Sequence, residues 1–152
     1  MYEYKVKVVK VVDGDTVDVD IDLGFGMTYK KQRVRMKGID TPESRTRDLV
    51  EKQFGKLSKK HLKEMLSNAE QITLISHDKG KFGRILGDLY CWDNVGHPTY
   101  ETKYCANAQM IEENMAVVYD GQSKEDIEKN HLENRKILQE KGLIEIQGEL
   151  SV

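Results

Sequence analysis

The sequence has little cysteine, no long apolar run and no excess of positive charge. Its 152 residues contain two cysteines, Cys91 and Cys105, which excludes a disulfide framework. No stretch approaches the roughly 20 apolar residues of a membrane-spanning helix. The formal net charge is −2, which argues against a protein that holds nucleic acid by bulk electrostatics, since such proteins tend to be basic.

The composition is 38% hydrophobic and 33% charged, and it predicts a soluble, globular, single domain over residues 1–152. The first residues alternate polar and apolar side chains and lack the apolar core of a secretory signal. We therefore expect a cytoplasmic protein, unless a leader has been removed, and no association with membranes.

The two cysteines have a simple interpretation as buried or partly buried thiols. A single bridge between them stays open from the sequence alone. His97 lies between Cys91 and Cys105, but three candidate ligands at irregular spacing are only a weak indication of a zinc site.

Alternating apolar residues predict five strands, in two groups separated by a helical segment. The helical period covers residues 54–68, and two further helices are predicted at 107–114, with Asn114 as a left-handed cap, and from Ser123 to Lys141. The predicted strands are residues 4–12, 16–23, 28–37, 71–77 and 84–92. Residues 93–104 are predicted to be a polar loop.

This order of elements predicts an α+β fold that is mainly β: a five-stranded OB-fold Greek-key barrel with about three packed helices. The barrel is expected over residues 2–92 and the helical C-terminal part over 103–142. A mixed α+β sheet is the structural alternative.

Two turns carry an unusual density of carboxylates. Asp13 and Asp15 flank the glycine of a DGDT turn, and Asp40 and Glu43 surround a stiff Thr-Pro. If the first three strands form a meander, Asp15 and Asp40 approach one another, and two such carboxylates repel unless a cation lies between them. Their oxygens suit Ca²⁺ or Mg²⁺.

Two arginines accompany these carboxylates. Arg35 precedes the second turn, and Arg84 lies at the start of the fifth predicted strand. Arginine pairs bidentately with phosphate. Taken singly, each group is an ordinary turn or surface feature. A metal ion, two arginines and a carboxylate that does not bind the metal are together the groups that phosphodiester hydrolysis requires.

The segments VVDGDTVDV, VRMKGIDTPE, FGRILGDLY and NAQMIEENMA, together with Phe54 and Gly55, resemble the staphylococcal nuclease family over about residues 5–120. The resemblance implies an OB-fold barrel and Ca²⁺-dependent cleavage of DNA and RNA to 3′-phosphorylated products. It also implies a role for each matching residue. Asp15, Asp40 and the Thr41 carbonyl would bind Ca²⁺, Asp13 would act through bound water, Glu43 would be the general base, and Arg35 and Arg84 would hold the scissile phosphate.

The sequence departs from the family near the expected nucleotide pocket. Phe82 stands where the family more often has tyrosine, and Tyr119 lacks the usual Tyr-x-Tyr context. Both remain candidates for nucleotide binding. None of the four histidines lies in the motifs, so we expect no catalytic histidine; His61 is interpreted as a packing residue.

Two functions remain open. The first is a Ca²⁺-dependent nuclease acting on DNA and/or RNA, with single strands preferred and a monomer favoured. The second is a silent OB-fold module that binds single strands or a protein partner. A purely structural Ca²⁺ domain would make no use of the arginines. Retention of both arginines and all the carboxylates favours the nuclease.

Overall fold

The computed structural model describes residues 2–79 and 83–146. In this part of the chain the backbone forms eight strands and three helices. The strands are β1 (Tyr2–Asp13), β2 (Thr16–Gly24), β3 (Met27–Met36), β4 (Ile39–Asp40), β5 (Gln71–Lys79), β6 (Ile85–Asp93), β7 (Thr102–Cys105) and β8 (Val117–Val118). The helices are α1 (Leu49–Asn68), α2 (Ala106–Glu112) and α3 (Lys124–Glu140).

Five of the strands close into a barrel. β1, β2 and β3 form an antiparallel meander, and β1 also pairs with β5, which pairs with β6. The barrel closes where β3 and β6 pair in parallel, with Val34 opposite Ile85. This arrangement, with three helices around it, confirms the predicted α+β fold of the OB type.

The alternation along the strands decides which side chains fill the barrel. Val17 and Val19 of β2 and Val34 and Met36 of β3 are completely buried, because every second residue of a strand faces the same side. Leu23 follows Val17 and Val19 on the same face of β2 but is 44% exposed, because it lies at the outer end of the β2–β3 hairpin.

Helix α1 packs its apolar face, including Phe54 and Leu62, against the core of the barrel. It begins at Leu49, five residues before the predicted start. The side chain of Asp48 caps it by accepting hydrogen bonds from the backbone N–H groups of Val50 and Glu51, as N-cap residues do. Leu49 is 64% exposed, but Val50 packs against the core at helical spacing from Phe54 and Leu57, so the apolar period extends into the first turn, beyond the predicted start.

The prediction of a loop over residues 93–104 is wrong at its end. Residues Thr102–Cys105 form β7, which pairs with β6 and places Cys105 opposite Tyr90. Four residues, two of them exposed and two half-buried, are too few to show a strand period. Cys91 is buried, Cys105 is half-buried, and both are free thiols.

The buried side chain of Asn107, at the start of α2, ties this helix to the barrel. Its oxygen accepts from the N–H of Leu89 at 3.1 Å, and its nitrogen donates to the carbonyl of Lys37 at 2.9 Å. Asn107 thereby fixes the backbone just beyond β3. Asn114 adopts the left-handed conformation predicted for it, with φ 64°.

Within the described residues, no helix is long and apolar enough to cross a membrane.

Candidate active site

The turn between β1 and β2 lies against the end of β3, as the meander predicts. The backbone N–H of Met36 donates to the carbonyl of Asp15 at 2.8 Å. The Asp15 side chain is buried and accepts from the hydroxyl of Thr16 at 2.9 Å and from the backbone N–H of Thr41 at 3.2 Å. These bonds hold the carboxylate in one orientation beside the second acidic turn.

Gly14 makes this close approach possible. A Cβ atom at position 14 would lie 2.8 Å from the Cβ of Ser58 on α1 and 3.0 Å from the Cγ2 of Thr41. Any larger side chain would push the turn away from both the helix and the Thr41 segment. The glycine of the DGDT turn is therefore required by packing against its neighbours.

Arg35 joins the two acidic turns. Its Nη2 atom is 3.4 Å from Asp15 Oδ2 and 3.6 Å from Asp40 Oδ1. Its Nη1 atom donates to the carbonyls of Met36 and Ile39 at 2.9 and 2.8 Å. The guanidinium is thus fixed by the backbone at a point that both carboxylates face.

The segment after Asp40 is anchored at both Glu43 and Ser44. The hydroxyl of Ser44 donates to Asp13 Oδ1, and the backbone N–H of Glu43 donates to the carboxylate of Glu51 on α1 at 3.0 Å. These bonds bring the segment that carries Glu43 next to Asp13; the approach that the sequence predicts is that of Asp15 to Asp40.

The electrostatic field at Glu43 is strongly negative. Partial burial of its carboxyl group raises the pKa of Glu43, and Asp13, Asp15, Asp40 and Glu51 raise the pKa further by repulsion. A carboxyl group with a raised pKa binds a proton more readily than an ordinary glutamate, which is the property required of a general base.

The three remaining predicted residues, Arg84, Tyr119 and Phe82, lie at different distances from this cluster or outside the described part of the chain. Arg84 directly precedes β6, whose parallel pairing with β3 brings it to the same edge of the barrel as Arg35. Tyr119 lies next to the cluster, because its N–H donates to the carbonyl of Gly38 at 2.8 Å, and its side chain is 47% exposed. Phe82 lies outside the described residues.

Sequence reasoning missed one residue of the site. His131, on α3, places its Nε2 atom 2.8 Å from Asp40 Oδ2. The pairing of β4 with β8, with Asp40 opposite Val117, brings the part of the chain that packs on α3 beside Asp40. Ninety-one positions separate the two residues, and a solitary histidine on a polar helix carries no local signal for this contact. His61, expected to serve packing, is half-buried and paired with Glu113.

The spacing of the acidic side chains decides whether the cluster could hold a metal ion. Among residues 2–79 and 83–146, no group of three or more histidine, cysteine, aspartate or glutamate side chains is arranged to hold a metal ion. Asp15 and Asp40 instead face one shared cationic point, occupied by Arg35 Nη2. Two carboxylates, a backbone carbonyl and water are ligands that Ca²⁺ accepts among its six to eight oxygens. These oxygens are of the chemical kind that Ca²⁺ binds, and Asp15, Asp40 and the Thr41 carbonyl are the groups that would hold such an ion.

A closed five-stranded barrel with an acidic and arginine-containing cluster at one edge defines an OB-type domain with a candidate hydrolytic site. The model of the family described as "Staphylococcal nuclease homologue" matches residues 33–142, and the chain belongs to this family.

Curated proteins with related sequences agree with this assignment. The chain is 29% identical to the micrococcal nuclease of Shigella flexneri over 118 residues, covering 77% of this chain and 59% of that protein. It is 34% identical to the thermonuclease of Staphylococcus hyicus over 91 residues, covering 59% and 49%. It is 29% identical to an uncharacterized endonuclease of Escherichia coli over 89 residues, covering 59% and 50%. The chain thus spans about half the length of these relatives.

Proposed function

We propose that this protein is a nuclease that hydrolyses DNA and/or RNA in a Ca²⁺-dependent reaction and leaves 3′-phosphorylated products. The observation that carries the proposal is the position of Arg35, fixed by two backbone carbonyls and facing both Asp15 and Asp40. Relatives named nuclease, thermonuclease and endonuclease support the reaction class.

Each of these residues has a separate role in the hydrolysis. Glu43 accepts a proton from the attacking water, whose oxygen forms a bond to phosphorus. The bond from phosphorus to the 5′ oxygen breaks, and the leaving oxygen takes up a proton to become a 5′-hydroxyl group. Arg35 and Arg84 donate to the phosphate oxygens as negative charge builds on them. Bound Ca²⁺ would supply further positive charge at the phosphate.

The first test is the hydrolysis of denatured DNA and of RNA by the purified protein, with CaCl₂ or with excess EGTA. Glu43→Gln keeps the size of the side chain but removes the base, so we expect a loss of ~10²–10⁴ in rate. Glu51→Gln, which alters the carboxylate bonded to the Glu43 backbone, is the matched control and should retain more activity. Single-strand binding without cleavage would assign the chain to the silent binding modules, and cleavage that persists in EGTA would contradict the Ca²⁺ dependence.

His131 has a positioning role in this proposal. Its Nε2–H donates to Asp40 Oδ2 and leaves Oδ1 directed towards Arg35 and the proposed ion. Hydrogen bonds to metal-binding side chains typically change metal affinity or activity by about 10- to 100-fold when removed. We therefore expect His131→Ala to weaken Ca²⁺ binding by a factor in this range, measured by calorimetry without nucleic acid.

A second histidine–aspartate pair provides the control for that experiment. His77 Nε2 lies 2.7 Å from Asp88 Oδ2, with comparable side-chain exposure. His77→Ala removes an equivalent bond outside the site and should leave Ca²⁺ affinity unchanged. Equal losses in the two variants would show that His131 acts only through general stability, and His131→Gln, which keeps a donor, should recover part of the affinity.

A further inference from the structure

A wide groove lies between strand β1, the β2–β3 hairpin and the C-terminal half of α1. Its volume is about 1260 Å³. Six lysines and three carboxylates line it, an excess of three positive charges in a chain whose formal net charge is −2. The lysines are Lys5, Lys7, Lys10, Lys30, Lys59 and Lys63. We call this surface the lysine groove.

The three carboxylates neutralise the positive charge of the lysine groove only in part. None of the six lysines forms an ion pair within the described part of the chain. Two of the three carboxylates instead accept hydrogen bonds from the hairpin backbone: Asp20 from the N–H of Lys31 at 2.9 Å and Asp22 from the N–H of Gly24 at 2.8 Å. The lysine groove therefore keeps an excess of three positive charges, which favours a polyanionic ligand.

An aromatic ring stands at the rim of the groove. The Phe25 side chain is fully exposed, and its backbone is left-handed, with φ 56°. A bulky residue is rarely found in this conformation, and an exposed ring offsets none of the cost by packing in the core. A phenylalanine is useful here for contact with a ligand that has an apolar face.

The groove also adjoins the candidate active site. Lys10 lies on β1 three residues before Asp13, and Lys59 follows Ser58, which packs against Gly14 of the DGDT turn. A strand of nucleic acid held at the site can therefore continue into the groove.

We propose that the lysine groove, with Phe25 at its rim, binds a segment of single-stranded nucleic acid beyond the scissile phosphate; this inference rests on the proposed nuclease function for its choice of ligand. Lysines contact successive phosphates and Phe25 stacks on a base. A basic groove combined with an aromatic ring is the usual arrangement for binding single strands without sequence preference.

The test measures binding of a fluorescein-labelled oligothymidylate of about 16 nucleotides by fluorescence anisotropy. Excess EDTA prevents cleavage, and the salt concentration is varied between about 50 and 200 mM. Lys30→Glu/Lys63→Glu reverses charge on both sides of the groove. Binding should weaken, and the slope of log affinity against log salt should fall by about 0.7 for each phosphate that the variant no longer neutralises. Lys129→Glu/Lys136→Glu, at exposed lysines on α3, makes the same change in net charge and should preserve the slope.

Phe25→Ala tests the contribution of base stacking to affinity separately from that of the lysine charges. We expect affinity to fall about 5- to 150-fold with the salt slope unchanged, whereas Tyr100→Ala, at another exposed aromatic residue, should have no effect. Equal weakening by both lysine pairs, or no weakening by the groove variants, overturns the proposal. Binding of phosphatidylserine vesicles or of an acidic peptide in place of the oligonucleotide also overturns it.

Cleavage of a dinucleotide, too short to reach the groove, reports on the proposed function separately. If wild type and groove variants cleave it alike while oligonucleotide binding differs, both proposals stand. If the dinucleotide is cleaved but the groove variants bind normally, only the groove proposal fails. If neither the dinucleotide nor the oligonucleotide is cleaved in CaCl₂ but groove-dependent binding persists, the nuclease proposal fails and the groove remains a binding surface.

Discussion

Arg35→Ala is expected to lower the rate of phosphodiester hydrolysis by ~10²–10³. Its guanidinium is held by the carbonyls of Met36 and Ile39 before any substrate arrives. A donor fixed in this way needs little reorganisation as negative charge builds on the phosphate, so its removal affects the transition state more than substrate binding. The measurement is single-turnover hydrolysis of a labelled oligonucleotide with saturating CaCl₂.

Arg33→Ala is the matched control. Arg33 lies two residues away on the same strand, is half exposed, and pairs with Asp18 at 2.8 Å. An exposed ion pair of this kind contributes about 0–1 kcal/mol to stability, so its removal should change the rate less than severalfold. Comparable defects in both variants would mean that β3 tolerates no replacement of an arginine, and would remove the argument for a special role of Arg35.

Arg35→Lys separates charge from geometry. Lysine retains the positive charge but cannot reproduce the planar fork that reaches two carbonyls and two carboxylates at once. We expect a rate between those of the wild type and Arg35→Ala. Because Arg35→Ala also leaves two carbonyls without their donor, at about 1–3 kcal/mol, thermal unfolding of each variant should be recorded and rates compared below the lowest transition.

The barrel is predictable because its strands carry their own pattern. Val17, Val19 and Val34 alternate with polar residues, and this two-residue period decides which face of each strand is buried. The convergence of Asp15 with Thr41 follows from the same pattern, since a three-stranded meander returns the end of β3 to the first turn.

The contacts that the sequence does not predict join distant segments through short or polar elements. The two-residue strands β4 and β8 are too short to have a period, yet their pairing accompanies the contact of Tyr119 with Gly38 and that of α3 with Asp40. His131 reaches Asp40 only because of that pairing. The start of α1 is a different case, because the sequence carries its signals: Asp48 is a capping residue and Val50 precedes Phe54 at helical spacing. The prediction began this helix five residues too late.

The lysine groove shows a further limit of linear charge patterns. Its lysines come from β1, β3 and α1, and only the packing of α1 beside the barrel brings them to one surface. The formal net charge of −2 argues against electrostatic binding of nucleic acid. The structure separates the charges in space, so the net value does not describe the surface that a ligand would meet.

Gly55→Ala is expected to damage both the fold and the site. A Cβ atom at position 55 would lie 2.6 Å from the backbone nitrogen of Ser44 and closer still to the carbonyl of Glu43. These are backbone atoms, so no side-chain rotation can relieve the clash. Alanine improves helix propensity by about 1 kcal/mol, but overpacking typically costs about 1–3 kcal/mol, and occasionally more. We expect a net decrease of stability in urea unfolding.

The same clash predicts a decrease of activity that stability alone does not explain. Relief of the clash must move either α1 or the segment that carries Glu43, and a misplacement of about 1 Å can cost about 10²-fold in rate. Lys56→Ala, at the next and exposed position of α1, is the control and should retain both stability and rate. If Gly55→Ala unfolds more easily but keeps the wild-type rate where it is folded, the placement of Glu43 is not critical and its role as the base is contradicted. In that case Gly55 serves only the packing of α1. A decrease in rate would instead show that Gly55 sets how closely α1 approaches the segment that carries Glu43.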